Sequence, residues 1–189
     1  MRTVKRIIAN EDKWEYIDFI ESNKKVRCIN VLGCGIDTDI LESYNAKKWF
    51  SARTRYKMAT IEKVLLVSVH DVSFKKDDNK QYIDREVMVF LVGNGNVMGG
   101  SIKTNDHAKV NDGILTVTYL RKFSRAKTIP YMSYMLKHGV YKVRTANWFN
   151  CKELVLKMKR PVYQVDSQLK TDTNVLRIKC ITKKLKFVA

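Results

Sequence analysis

Three stretches of this chain place chemically able side chains where the backbone must turn. Lys109-Val110-Asn111-Asp112-Gly113-Ile114-Leu115 sets a carboxylate before a glycine at the start of an apolar run. The Asp112 side chain and nearby backbone carbonyls are hard oxygen donors, the kind that hold Mg²⁺. Asp-Gly is equally an ordinary turn dipeptide. Val165-Asp166-Ser167-Gln168 is a second turn signal between apolar runs. Gly93-Asn94-Gly95-Asn96-Val97-Met98-Gly99-Gly100 has the glycines of a phosphate cradle but not the context. A phosphate loop needs Gly-Lys-Ser/Thr, or G-x-G-x-x-G between strand and helix, and neither stands here. Glycines at a turn and in a close-packed strand account for it better.

Other chemistries are harder to assemble. His70, His107 and His138 lie in unrelated contexts, and no Ser or Cys sits in a nucleophile elbow. Asp37 and Asp39 read as capping and dipole-complementing residues at a helix entry. Cys28, Cys34, Cys151 and Cys180 lack the close pairs of a zinc site and lie in or beside apolar runs, so buried free thiols are expected. Tyr131, Tyr134, Tyr141, Trp148 and Phe149 are interleaved with lysines and arginines. Stacking on bases would need them on one exposed face, and their spacings read as core, which weighs against nucleic-acid recognition.

Composition bounds the partners. The 189 residues, 45% of them apolar, suit a single domain over 1–189 with a sizeable core. The formal net charge is +17 and unevenly spread: Tyr119–Arg160 holds eleven Lys/Arg against one acid, Glu153. Such a surface attracts nucleic-acid phosphates or anionic lipid headgroups, or is simply solvated, and charge alone does not choose. No apolar run reaches the ~18 residues needed to cross a bilayer. The segment Met1–Arg6 is too poor in apolar residues for a signal peptide, so a cytoplasmic protein is expected.

The elements that must position these residues are mostly strands. Helical turns are expected over Thr3–Asn10, then strands Trp14–Ser22 and Val26–Leu32 joined by a tight hairpin at Asn23-Lys24. Gly33-Cys34-Gly35 should break the pattern before a helix over about Asp39–Asn45 capped by Asp37. A second helix is expected over Ala52–Leu66, burying Tyr56, Ala59, Val64 and Leu65, with a basic outer face. Val67–Phe74 and Gln81–Val92 read as a hairpin around Lys75–Lys80. Asn94-Gly95 reads as a turn leading to an extended segment, then Gly113–Leu120 as a strand. Ser124 can cap a helix through Lys137, closed by Gly139, with Pro130 imposing a kink or a later start. Short strands follow over Tyr141–Ala146, Glu153–Met158, Val162–Val165, Val175–Ile181 and Leu185–Val188. Many strands, few helices and no βαβ alternation predict a mainly β (α+β) fold: a two-layer antiparallel β-sandwich with two or three inserted helices.

The order of these motifs resembles the β-rich second domain of the diacylglycerol kinase and sphingosine kinase-like lipid kinases. Asn30-Val31-Leu32-Gly33-Cys34-Gly35-Ile36-Asp37-Thr38-Asp39 is similar to the family's Asn-Val-x-x-x-Gly-Phe-Asp-Ala-Glu stretch. Asn94–Gly100 is similar to its Asn-Gly-x-x-x-Gly-Gly turn, and Asn111–Leu115 to its Asp-Asp-Gly-Leu-Leu step. Phe123-Ser124-Arg125 resembles the start of the following helix. The resemblance implies a sandwich that closes over a nucleotide-binding domain, with lipid phosphorylation in the cleft between them. It implies a structural Mg²⁺ at Lys109 (carbonyl), Asp112 and Ile114 (carbonyl), and a general base from an Asp-Gly-Glu turn. Here that turn is Asp166-Ser167-Gln168, so the base position carries a carboxamide that takes no proton near neutral pH. The family's Gly-Gly-Asp-Gly-Thr phosphate loop is not in the sequence, so ATP enters only with a separate nucleotide domain. The expectation is therefore a lipid kinase C-terminal domain, inactive alone and peripheral to the inner membrane face. Its partners would be anionic lipid and a nucleotide-binding domain, with a homodimer left open. A non-catalytic lipid- or partner-binding module is the alternative, and a basic nucleic-acid-binding β-domain the second.

Overall fold

The computed structural model describes residues 14–23, 26–66, 68–98 and 102–188. The helical turns expected over Thr3–Asn10 and the Gly99-Gly100 pair lie outside the described residues. The strands are β1 (Trp14–Ser22), β2 (Arg27–Cys28), β3 (Val31–Gly35), β4 (His70–Lys76), β5 (Ile83–Gly93), β6 (Val97–Met98), β7 (Ile102–Lys103), β8 (Leu115–Arg121), β9 (Ala146–Cys151), β10 (Glu153–Met158), β11 (Tyr163–Val165), β12 (Gln168–Lys170) and β13 (Val175–Val188). The helices are α1 (Ile36–Ala46), α2 (Ala52–Leu66) and α3 (Thr128–His138).

Eleven strands form one sheet in the order β12-β11-β3-β5-β4-β10-β13-β1-β2, with β8 branching from β5 and carrying β9. β6 and β7 make a separate two-stranded ribbon. The large sheet curls until its two ends share one core. Ile20 of β1, Phe74 of β4, Phe90 of β5, Leu156 of β10, Tyr163 of β11 and Leu176 of β13 pack in a single buried cluster. Each such side chain contributes about 1.5–3 kcal/mol when fully buried. A second cluster joins the other face of β5, through Met88, Val89 and Leu91, to Ile36 of α1 and Met135 of α3. β5 is thus buried on both faces, and a register shift against β8 between Val87 and Val89 turns Met88 and Val89 to the same side.

Several elements depart from the sequence reading for local reasons. Gly33-Cys34-Gly35 does not break the sheet; it is the end of β3. Gly35 is needed because β5 lies so close: a Cβ there would stand 2.4 Å from the Met88 carbonyl, and its φ is +119°. α1 starts directly from it, at Ile36, with no side-chain cap, so Asp37 does not cap. α2 has the expected bounds, but only Ala59 is buried; Tyr56 and Leu65 are exposed. The strand expected at Tyr141–Ala146 is a 3₁₀ turn over Val140–Lys142, and β9 begins only at Ala146. Pro130 falls in the first turn of a late-starting α3, where its missing N–H costs nothing. The two C-terminal strands are one, β13, with Lys183 at φ +46° in a bulge opposite β1.

Candidate functional site

The hairpin between β11 and β12 carries the expected base position. Val165 pairs with Gln168, so Asp166 and Ser167 form a two-residue turn, both at positive φ (+44° and +71°). Gln168 is exposed as the first residue of β12. Asp166 is a brace. Its Oδ2 accepts the Ile29 N–H (2.8 Å), and its Oδ1 accepts those of Asn30 (3.1 Å) and Val31 (3.0 Å). The Cys28 thiol donates to the same Oδ1 at 3.1 Å. Burial and the Asp166 charge push that thiol well above its ordinary range. This clasp explains why β2 stops at Cys28: residues 29–31 turn around a carboxylate.

The Lys109–Ile114 segment is held by a residue the sequence reading gave no role. Asp18, fully buried in β1, accepts the Gly113 N–H on Oδ2 (2.6 Å) and the Lys183 N–H on Oδ1 (2.7 Å), while its own N–H donates to Val110 O (2.6 Å). A charged residue inside the apolar run Tyr16–Ile20 was the signal. Asp112 itself is exposed, and its Oδ1 accepts the Ile114 N–H at 3.1 Å. No group of three or more His, Cys, Asp or Glu that could hold a metal occurs among the described residues. The donor set around Asp112 is one carboxylate and backbone carbonyls, which suits a hard, largely hydrated ion.

The glycine-rich segment is scaffold. Buried Asn94 donates through Nδ2 to the carbonyls of Asp18 and Ile29, both at 2.9 Å, and Asn30 O accepts the N–H groups of Asn94 and Gly95. A Cβ on Gly95 would lie 2.2 Å from Asn30 Oδ1. The aromatic residues of the basic region do not form one platform. Phe149 stacks on Phe74 in the core, Tyr131 packs on Phe123, and Trp148 stacks on His107 at 4.4 Å. The four cysteines are free, three of them buried.

A cavity of about 690 Å³ opens between α1, the start of β4 and the segment after β10, lined in part by Cys34, Asp39, His70, Met158, Arg160 and Val162. At its wall Asp39 accepts from Arg160 Nη1 (2.7 Å) and meets His70 Nε2 at 3.0 Å, while Arg160 Nη2 reaches Glu42 at 2.5 Å. Burial works against the Asp39 charge, but the His70 and Arg160 contacts prevail and hold its carboxyl below the usual range. Two residues earlier, Asp37 is the opposite case. Both its oxygens are buried without a well-formed hydrogen bond, and burial, only partly offset by the Thr38 N–H, the Gln164 amide and His70, pushes its carboxyl up to about 6. Gly33 leaves the room for it; a Cβ there would stand 2.8 Å from Asp37 Oδ2.

A family profile described as the YegS C-terminal NAD kinase beta sandwich-like domain matches residues 30–188. This chain belongs to that family. Three solved Bacillus anthracis (strain Sterne) structures share its fold. Two provisionally assigned diacylglycerol kinases align with TM-scores of 0.68 and 0.65 at 14% and 15% identity, and a third, a diacylglycerol kinase, with 0.60 at 14%. Each alignment covers 96% of this chain but only 58%, 57% and 56% of the other, so the YegS C-terminal-type chain spans less than two thirds of their length. No curated protein matches it in sequence. The expected mainly β, sandwich-like fold with two or three inserted helices is the one observed, with three helices among the described residues.

Proposed function

We propose that this chain is the acceptor side of a two-domain lipid kinase: it receives an alcohol-bearing lipid, and phosphate comes from a nucleotide bound by a separate domain. Family membership and the diacylglycerol kinase relatives support the substrate class. The observation that carries the second half is the occupancy of Asp166. Three backbone N–H groups and a thiol engage the Asp166 carboxylate in bracing the turn, and the base position of the hairpin is the Gln168 amide. Asp37 has the proton affinity of a base but is sealed from solvent. The chain alone therefore has neither phosphate loop nor base, and turnover is at background. Mg²⁺, held by Asp112 with the carbonyls of Lys109 and Ile114, acts in this reading as a brace for the loop.

In the cavity, Asp39 is the group that accepts a lipid hydroxyl, with Arg160 and His70 fixing its orientation and Met158 and Val162 giving the apolar wall. Association is peripheral; no described helix is long and apolar enough to cross a membrane. Short-chain diacylglycerol should raise the melting temperature of the chain, and Asp39→Asn should remove that rise while the variant still folds. A rise that survives Asp39→Asn contradicts the cavity assignment. Retention of single-stranded RNA by a chain that ignores diacylglycerol contradicts the lipid reading altogether.

A further inference from the structure

α2 is an anomaly on this surface. Its sequence is amphipathic in charge yet it buries only Ala59. It is attached to α1 by Tyr56 against Tyr44, by Arg55 over the Tyr44 ring at 4.3 Å, and by the Lys47–Glu62 pair at 2.6 Å. The face turned away from α1 is apolar. Met58, Ile61 and Leu65 follow one another at helical spacing, and Ile61 and Leu65 are 61% and 57% exposed. The turn that leads into the helix adds Trp49, 97% exposed, and Phe50. Lys48, Arg53 and Lys57 flank this stripe, and no acid occurs between Glu42 and Glu62.

We infer that this face, Trp49-Phe50 with Met58, Ile61 and Leu65, is the surface by which the chain docks on an anionic bilayer. Two features choose a membrane over a protein. An apolar stripe bordered by Arg53 and Lys57, whose one adjacent acid, Glu62, is paired with Lys47 and Lys63, matches the layering of an acyl boundary beneath anionic headgroups. A nearly fully exposed Trp on a connecting turn is the side chain that favours that interface, with an apolar body and a polar N–H. The docking stands apart from the proposed function.

The test uses vesicles without diacylglycerol, so that it is independent of the kinase reading. The 189-residue chain should float with phosphatidylcholine vesicles containing phosphatidylglycerol and not with phosphatidylcholine alone. Tryptophan emission should shift to the blue on binding, and Trp49→Phe should abolish that shift. Ile61→Asp with Leu65→Asp should weaken binding by at least about tenfold, given the burial value of two such side chains, with the melting temperature unchanged. Arg53→Glu with Lys57→Glu should remove the preference for anionic vesicles, whereas Ile129→Asp, exposed on α3, should leave binding intact. Wild-type binding by the Ile61/Leu65 variant overturns the inference, as does equal loss in the Ile129 variant. A chain that ignores vesicles but dimerises in solution, and returns to monomer in the Ile61/Leu65 variant, overturns it in favour of a second copy.

Discussion

Two neighbouring regions that carry carboxylates, the β11–β12 hairpin and the start of α1, use them in opposite ways. At the β11–β12 hairpin, Asp166 takes four donors on one carboxylate, three of them on Oδ1. At α1, Asp39 shares its charge with Arg160 and His70 at the wall of an open cavity, and the buried Asp37 oxygens have no well-formed hydrogen bond. Dense backbone hydrogen bonding marks the hairpin carboxylate as scaffold. Poorly satisfied or cavity-facing charge marks the start of α1 as the place where the fold carries a cost that a packed domain would otherwise remove. The turn that holds the expected base position, Gln168, is braced by its Asp166, and the less saturated carboxylates lie where a capping role was expected.

The sharpest way to break this contrast is Asp166→Ala. It leaves three backbone N–H groups without an acceptor and should destabilise the chain by about 3 kcal/mol in urea unfolding. A loss below 1 kcal/mol would mean the clasp is incidental. Asp37→Asn acts the other way. Because burial raises the folded carboxyl to about 6 from 3.8, the folded state binds that proton more tightly than the unfolded chain. Stability is then fullest below about pH 4 and falls as pH rises through about 6, by up to about 3 kcal/mol. Asp37→Asn should flatten that fall and gain about 2 kcal/mol at pH 8; equal pH slopes in the two proteins would refute the assignment.

Smaller effects sharpen the picture at the two turns. Mg²⁺ should stabilise the wild-type chain by about 1 kcal/mol when in several-fold excess over its dissociation constant, and Asp112→Ala should erase that increment. A Mg²⁺ increment that survives would move the ion elsewhere. Ser167 sits at φ +71° without the freedom of the glycine that the family turn has there. Ser167→Gly should stabilise by less than about 1 kcal/mol, read as a small rise in melting temperature.

Much of the fold was legible because periodicity and punctuation agreed. Lys75–Lys80 between two apolar runs gave the β4–β5 hairpin, and Glu153–Met158 alternates as β10 does. What was not legible depends on long-range approach. Gly33 and Gly35 look like a break until β5 is known to pass 2.4 Å from a Cβ at Gly35. Tyr56 and Leu65 look like core until α2 is seen to rest on α1 by its other side. The candidate site divides in the same way. The Asp112 and Asp166 turns could be located from their dipeptides, whereas Asp18, Asp39, His70 and Arg160 meet across separations that no local pattern encodes.

The central claim is that this chain receives a lipid alcohol but cannot activate it. Phosphate transfer from labelled ATP to diacylglycerol in anionic vesicles measures that directly, with Mg²⁺ present and the 189-residue chain as the only protein. Background transfer is predicted for the wild type and equally for Gln168→Glu, since a restored base still has no bound nucleotide to act against. Robust, protein-dependent transfer by either would contradict the account.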